Sequence, residues 1–165
     1  MALFPFNCIV TPQMIERAQA EADRIGHLRN SIRDGAGNLV GCIGEQAFLE
    51  LFPGAVSDNT FQHDIRMDDI TIECKTKDRT VSPRLDYEAS VANANTSQQA
   101  EYYVFMSVLR DSATNRYIRA YFCGIISKKE YFEKATFLEA GTVDPSNGWR
   151  VKASCWNLPY RELDR

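Results

Sequence analysis

The stretch FQHDIRMDDITIECKTK, running from Phe61 to Lys77, decides the fold. Apolar residues alternate at Phe61, Ile65 and Met67 and again at Ile70, Ile72 and Cys74, the period-2 pattern of two half-buried strands. Asp68-Asp69 lies between them. A tight hairpin tipped there pairs Met67 with Ile70 and Ile65 with Ile72, so that Asp64 falls directly across from Glu73. Lys75, two residues on, shares their face. The opposite register would set Asp64 against the apolar side of the second strand, so the pattern itself selects this pairing. Asp-Asp is not the favoured hairpin dipeptide, which leaves the turn type open.

Two carboxylates opposed across a ladder repel, and such pairs are normally avoided. A hard divalent cation taking oxygen ligands from both would turn the repulsion into a binding site, and a nearby lysine could hold or deprotonate a water beside it. Asp64 followed by Glu73-Cys74-Lys75 resembles the signature of the PD-(D/E)xK superfamily of metal-dependent nucleases, an Asp on one strand and (Asp/Glu)-x-Lys on the next. Upstream, Gly41-Cys42-Ile43-Gly44-Glu45-Gln46-Ala47-Phe48 resembles that superfamily's first core helix. The likeness spans Gly41 to Leu109, with His63 where a Pro gives the family its title. Glu73-Cys74-Lys75 is the acid-x-Lys triplet that sits on an expected strand opposite an Asp. Asp68 and Asp69 are rival carboxylates, set aside because residues at a turn tip point away from the Glu73 face.

The resemblance implies an α/β fold of the restriction-endonuclease-like type, a mixed sheet flanked by helices in αβββαβ order. It also implies Mg²⁺- or Mn²⁺-dependent hydrolysis of phosphodiester bonds in DNA, by an endonuclease of weak sequence or structure-based specificity. Asp64, Glu73 and the Cys74 backbone carbonyl would hold the metal, Glu45 would complete the site, and Lys75 would orient the attacking water. From pattern alone Glu45 reads otherwise, as a solvated carboxylate near a helix start. Lys77, Arg79 and Arg84 extend Lys75 into a basic run suited to phosphate contact or to a solvated loop. Gln98 and Gln99, each four residues before a tyrosine, resemble the Q-x-x-x-Y element of some branches but stay outside the proposed site. A different class remains open, a non-catalytic module on the same fold that binds nucleic acid or a protein partner.

A chain of 165 residues, 44% hydrophobic and 25% charged, suits one globular domain spanning 1–165. Within it, 1–33 reads as an N-terminal helical extension, 41–126 as the catalytic core and 127–165 as a C-terminal helix and strand. The net charge of −3 argues mildly against broad phosphate binding and suits the non-catalytic module somewhat better. Five cysteines are widely spaced with no C-x-x-C pair, which points to reduced core thiols and a cytoplasmic protein. The apolar start lacks a basic flank and is too short to span a bilayer, so no membrane is expected. Paired cuts would require a homodimer.

Along the chain, Thr11-Pro12 opens an amphipathic helix expected to reach about Ile32. The helix reads first as packing onto the body of the domain, with a dimer contact or an Arg24/Arg29/Arg33 rail for phosphate as the alternatives, and His27 as a surface or boundary residue. Asp34 to Asn38 breaks it, and Gly41 to Phe52 forms a short apolar helix ending before Pro53-Gly54. Arg84 to Ser90 reads as a short strand and Ala92 to Ala100 as a short helix. Tyr102 to Leu109 reads as a central strand covered on both faces, and Tyr117 to Ile126 as another. Ser127 and Glu130 form a capping box for a helix over Lys128 to Ala135. Strict alternation from Trp149 to Cys155 predicts a last half-buried strand, with Trp149 and Trp156 in the core in preference to serving as base-stacking platforms.

Overall fold

Residues 6–26, 37–60 and 62–165 are described in a computed structural model, with the backbone alone at 37 and 38. The helix opened by Thr11-Pro12 ends at Ile25 with Gly26 as its C-cap, and the rest of the helix expected to reach Ile32, with His27, Arg29 and Arg33, lies outside the described residues, as does Phe61. The chain is mixed α/β. Its elements run β1 (Phe6–Ile9), α1 (Pro12–Ile25), α2 (Gly37–Leu51), β2 (Ala55–Ser57), β3 (Ile65–Met67), β4 (Ile70–Arg79) and β5 (Glu88–Ala92). A 3-10 turn at Asn93–Asn95 follows, then β6 (Tyr102–Arg110), β7 (Tyr117–Ser127), α3 (Lys128–Lys134), β8 (Thr136–Leu138) and β9 (Cys155–Pro159).

Among the described residues six strands form one mixed sheet in the order β1-β7-β6-β4-β3-β2, in which β4 and β6 run parallel and the other neighbours antiparallel. Three more form a second sheet, β5-β9-β8. The central hairpin has the register the apolar pattern selects, Ile65 opposite Ile72 and Met67 opposite Ile70. Asp68 turns the tip at φ 50°, a left-handed conformation that Asp tolerates better than most side chains.

Alternation along the strands divides the interior in two. Ile72, Cys74, Val104, Met106, Val108, Ala120 and Phe122 pack with α1 and α2 on one face. Tyr103, Phe105, Tyr121 and Cys123 point the other way, onto Tyr131 of α3, Ala89 and Val91 of β5 and Leu158 of β9. Strands buried on both sides lose the polar alternation of a solvated face, which is why Tyr102 to Leu109 reads as a continuous apolar run. Tyr131 fastens the second core, its hydroxyl lying 3.0 Å from Ala89 O and 2.7 Å from Trp156 O.

Four expectations change. The N-terminal segment is not wholly helical, because residues 6–9 form an edge strand on β7. Of the break expected over Asp34 to Asn38, Gly37 and Asn38 belong to α2, and 34–36 lie outside the described residues. The helix expected over Ala92 to Ala100 is a single 3-10 turn, and the strand before it belongs to the second sheet. The last strand begins at Cys155, where it was expected to end, and Trp149 stands in solvent at 60% exposure. The five cysteines are all free, three of them buried. Among the described residues no helix is long and apolar enough to cross a membrane.

Candidate active site

Helix α2 reaches the sheet through Gly44. A Cβ there would fall 2.7 and 2.8 Å from Thr76 Cγ2 and Cβ and closer still to Oγ1, so only glycine lets the helix ride this low on β4. The next residue, Glu45, is thereby carried close enough to Glu73 and Asp64 for their charges to act on one another. Glu45 is not the freely solvated carboxylate its pattern suggested. Its Oε2 accepts a hydrogen bond from Asn59 Nδ2 at 2.9 Å, and the same nitrogen lies 3.2 Å from Glu21 Oε1 on α1.

Asp64 corrects the expected geometry. The β3–β4 ladder ends at Ile65 opposite Ile72, and the Asp64 N–H donates to Ile72 O at 3.0 Å instead of continuing to Glu73. This one-residue slip, of the kind a β-bulge makes, removes the face-to-face pairing of the two acids. The Asp64 side chain turns onto β4 instead, where Oδ2 accepts the Cys74 N–H at 2.8 Å. Because the N–H and C=O of a strand residue point to the same edge, the Cys74 carbonyl is aimed at that side too.

Glu73 is 6% exposed. Its Oε1 accepts from Lys75 Nζ at 2.9 Å, while its Oε2 is buried without a hydrogen-bond partner. Lys75 Nζ also lies 3.3 Å from Gln98 Oε1, and Lys128 Nζ donates to the backbone carbonyl of Gln98. The Lys75 ammonium therefore sits between an acid from its own strand and an amide from the segment leading into β6.

The electrostatics follow from burial and crowding of like charge. Burial pushes the Glu45 carboxyl up to about 7, opposed by the Asn59 hydrogen bond and reinforced by the charges of Glu73 and Glu21. Asp64 is raised well above the usual carboxylate range by burial, then by Glu73 and Glu45, against which the Cys74 N–H and the Lys75 charge pull only in part. One lysine does not neutralise this group of acids.

Structure brings Glu45, Asp64, Glu73 and Lys75 into one electrostatic neighbourhood. The three basic residues expected to hold phosphate are placed elsewhere. Lys77 donates to Ser90 Oγ of β5 at 2.9 Å, and burial with the nearby Arg79 lowers it to about 8. Arg79 reaches Ser107 Oγ at 3.1 Å and Tyr160 OH at 3.0 Å, with its guanidinium 4.6 Å from the centre of the Tyr87 ring. Both lie between the two sheets. Arg84 is exposed and paired with Asp86 at 2.8 Å. Sequence reasoning missed Asn59, Glu21 and Lys128, and it left Gln98 outside the site although the Q-x-x-x-Y spacing had singled that residue out.

Among the described residues, no three His, Cys, Asp or Glu side chains stand where they could hold a metal ion together as placed. The bonds explain this, since Glu73 is drawn toward Lys75 and Asp64 is tied to the Cys74 N–H. Fold and site together define an α/β protein with a buried acidic cluster and a single lysine bonded into it. Comparison with models of known protein families, with curated proteins and with solved structures finds no match.

Proposed function

We propose that this chain is a Mg²⁺- or Mn²⁺-dependent deoxyribonuclease on a restriction-endonuclease-like core, hydrolysing phosphodiester bonds at the cluster of Glu45, Asp64, Glu73 and Lys75. The observation that carries the reading is the partnerless, buried Oε2 of Glu73 beside two carboxyls whose protons are held abnormally tightly. A buried acid without a partner is costly, and a group of them calls for a cation. The donor set is all oxygen, which suits a hard divalent ion. Asp64, Glu73 and the Cys74 carbonyl would hold it, with Glu45 completing the set. Such an ion supplies stabilisation of charge building on the phosphoryl oxygens.

The chain's own residues do the remainder. Lys75, anchored to Glu73 Oε1 and Gln98 Oε1, orients a water and takes part in moving its proton. Gln98 fixes the ammonium, and Asn59 holds Glu45 in place. Helix α2 ahead of the paired strands β3 and β4, with β6 parallel to β4 in the same sheet, supports the core arrangement. The expected αβββαβ order is not met: β2 intervenes between α2 and β3, β5 belongs to the second sheet, and a 3-10 turn stands where the family pattern has its second helix. The second reading, a non-catalytic module that binds nucleic acid or protein, draws support from the net charge of −3 and from the structural use of Lys77 and Arg79.

Labelled DNA and RNA of duplex, single-stranded, flapped and branched form, incubated with and without Mn²⁺, separate the two. Cleavage is expected with the metal and is expected to vanish in Glu73→Ala and in Lys75→Ala while circular dichroism stays native. Undiminished cutting by either variant refutes the assignment, and absence of cutting by the parent favours the module.

A further inference from the structure

The segment between β8 and β9 is a projecting hairpin that the proposed reaction does not use. Gly141 N–H donates to Val151 O at 2.7 Å, Val151 N–H to Thr142 O at 2.8 Å and Asp144 N–H to Trp149 O at 2.8 Å. Gly148, at φ 72°, closes the turn. Asp144 is 6% exposed, and its Oδ1 accepts the Ser146 N–H and hydroxyl within the turn. The hairpin is therefore a braced element. On it Trp149 is exposed at 60%, and the Lys152 ammonium lies 5.6 Å from the indole centre. Arg150, between them in sequence, is exposed as well.

An exposed tryptophan on a hydrogen-bonded hairpin, followed by exposed cations one and three residues on, lacks the apolar surroundings its size would reward with burial. The same combination is what holds an unpaired nucleobase, an aromatic face for stacking and positive charge for the backbone. The hairpin is also tied toward the acidic cluster. At its foot Ser154 O accepts the Asn93 N–H at 2.9 Å, and Trp156 Nε1 donates to Asn93 Oδ1 at 3.2 Å. The chain then passes from Asn93 through the 3-10 turn to Gln98, which holds Lys75.

We propose that Trp149, flanked by Arg150 and Lys152, is a stacking platform for unpaired bases of single-stranded DNA. The inference takes its class of partner from the nuclease reading but needs no metal and no cleavage. It is tested with labelled oligothymidine and a labelled duplex of equal length, in EDTA so that no cutting intervenes. Trp149→Ala is expected to weaken oligothymidine binding by about 5- to 150-fold, the span of one lost base–aromatic stack. Duplex binding is expected to stay unchanged, Trp149→Tyr to recover most of the loss, and Lys152→Ala to flatten the salt dependence by about one phosphate contact.

No oligothymidine binding by the parent chain, equal binding by parent and Trp149→Ala, or equal loss for both DNA forms overturns the platform. Loss of metal-dependent cutting with intact stacking would remove the nuclease reading and leave this one. Cutting without stacking would do the reverse.

Discussion

Gly44→Ala and Gly41→Ala place the same methyl group one helical turn apart on α2, and the structure assigns them opposite signs. At Gly41 an added Cβ meets nothing within 4 Å. Replacing a helical glycine by alanine there should stabilise by up to about 1 kcal/mol, through helix propensity alone. At Gly44 the same gain is overrun. The new Cβ would lie 2.7 and 2.8 Å from Thr76 Cγ2 and Cβ, distances that Cβ atoms essentially never show, and the Thr76 Cβ cannot rotate away. Overpacking of this kind costs about 1–3 kcal/mol, and three simultaneous clashes put it at the upper end. The net is a loss of about 2 kcal/mol, and the two variants should differ by about 3.

Urea denaturation reads this directly. With a slope of about 2 kcal/mol/M for a domain of this size, Gly44→Ala should lower the midpoint by about 1 M and Gly41→Ala raise it by about half that. Thr76→Gly added to Gly44→Ala should cost less than the sum of the single changes, because it removes the atoms that clash. Since α2 must lift to admit the methyl group, Glu45 moves with it, and Mn²⁺ affinity should fall in Gly44→Ala but not in Gly41→Ala. A Gly44→Ala protein as stable as the parent, or a Gly41→Ala protein equally damaged, would refute the close-approach argument.

Glu45, raised from 4.5 to about 7, retains its proton in the folded chain where the unfolded chain has lost it, so its contribution is full below pH 4.5 and disappears as pH rises to about 7. Thermal stability without metal should fall across that window by up to about 3 kcal/mol, Glu45→Gln should flatten the fall, and Mn²⁺ should raise the melting temperature more at pH 7.5 than at pH 5. A flat parent profile would show that Glu45 is not proton-bound. Arg79→Ala removes hydrogen bonds to Ser107 and Tyr160 and the stacking on Tyr87. It should lower unfolding free energy by about 2–4 kcal/mol and leave DNA affinity of the folded fraction unchanged, whereas native stability with lost affinity would restore Arg79 to phosphate contact.

What could be read from the sequence was local and periodic. The register of β3 on β4 followed from alternation across a turn, and the α1 and α3 caps followed from Thr11 and Ser127, which accept the N–H groups of Met14 and Glu130. Period 2 also put Lys77 and Arg79 on the Glu73 side of β4. What covers that side comes from β5, β9 and Tyr160, far along the chain, and no local pattern announces a non-local lid. Residues 149 to 154 misled for the opposite reason. Their alternation is genuine, but it belongs to a surface hairpin on which Val151 is buried and Trp149 exposed, so period 2 alone does not say which residue has a core beneath it. Glu45 lay off the apolar stripe of α2 because it faces a polar site, and sequence alone cannot distinguish that from facing water.

The break at Asp64 shows how the acids tolerate one another. Had the ladder continued, the carboxylates would have stood on directly opposed residues, whose Cβ atoms lie about 5 Å apart. Two unit charges at that distance repel by about 3 kcal/mol at an effective dielectric of 20. Slipping one residue gives up a regular pair and offers Asp64 a backbone donor in exchange, the Cys74 N–H. The exchange is incomplete, since Asp64 still holds its proton far more tightly than a free aspartate, after burial chiefly because Glu73 and Glu45 remain near. Glu73 has settled the same conflict through Lys75 on one oxygen and left the other without a partner. Each acid thus has one anchored oxygen, at Asn59, Cys74 or Lys75. An ion bound here, as the proposed function requires, would compete with those anchors only in part, since each takes one oxygen of its carboxyl.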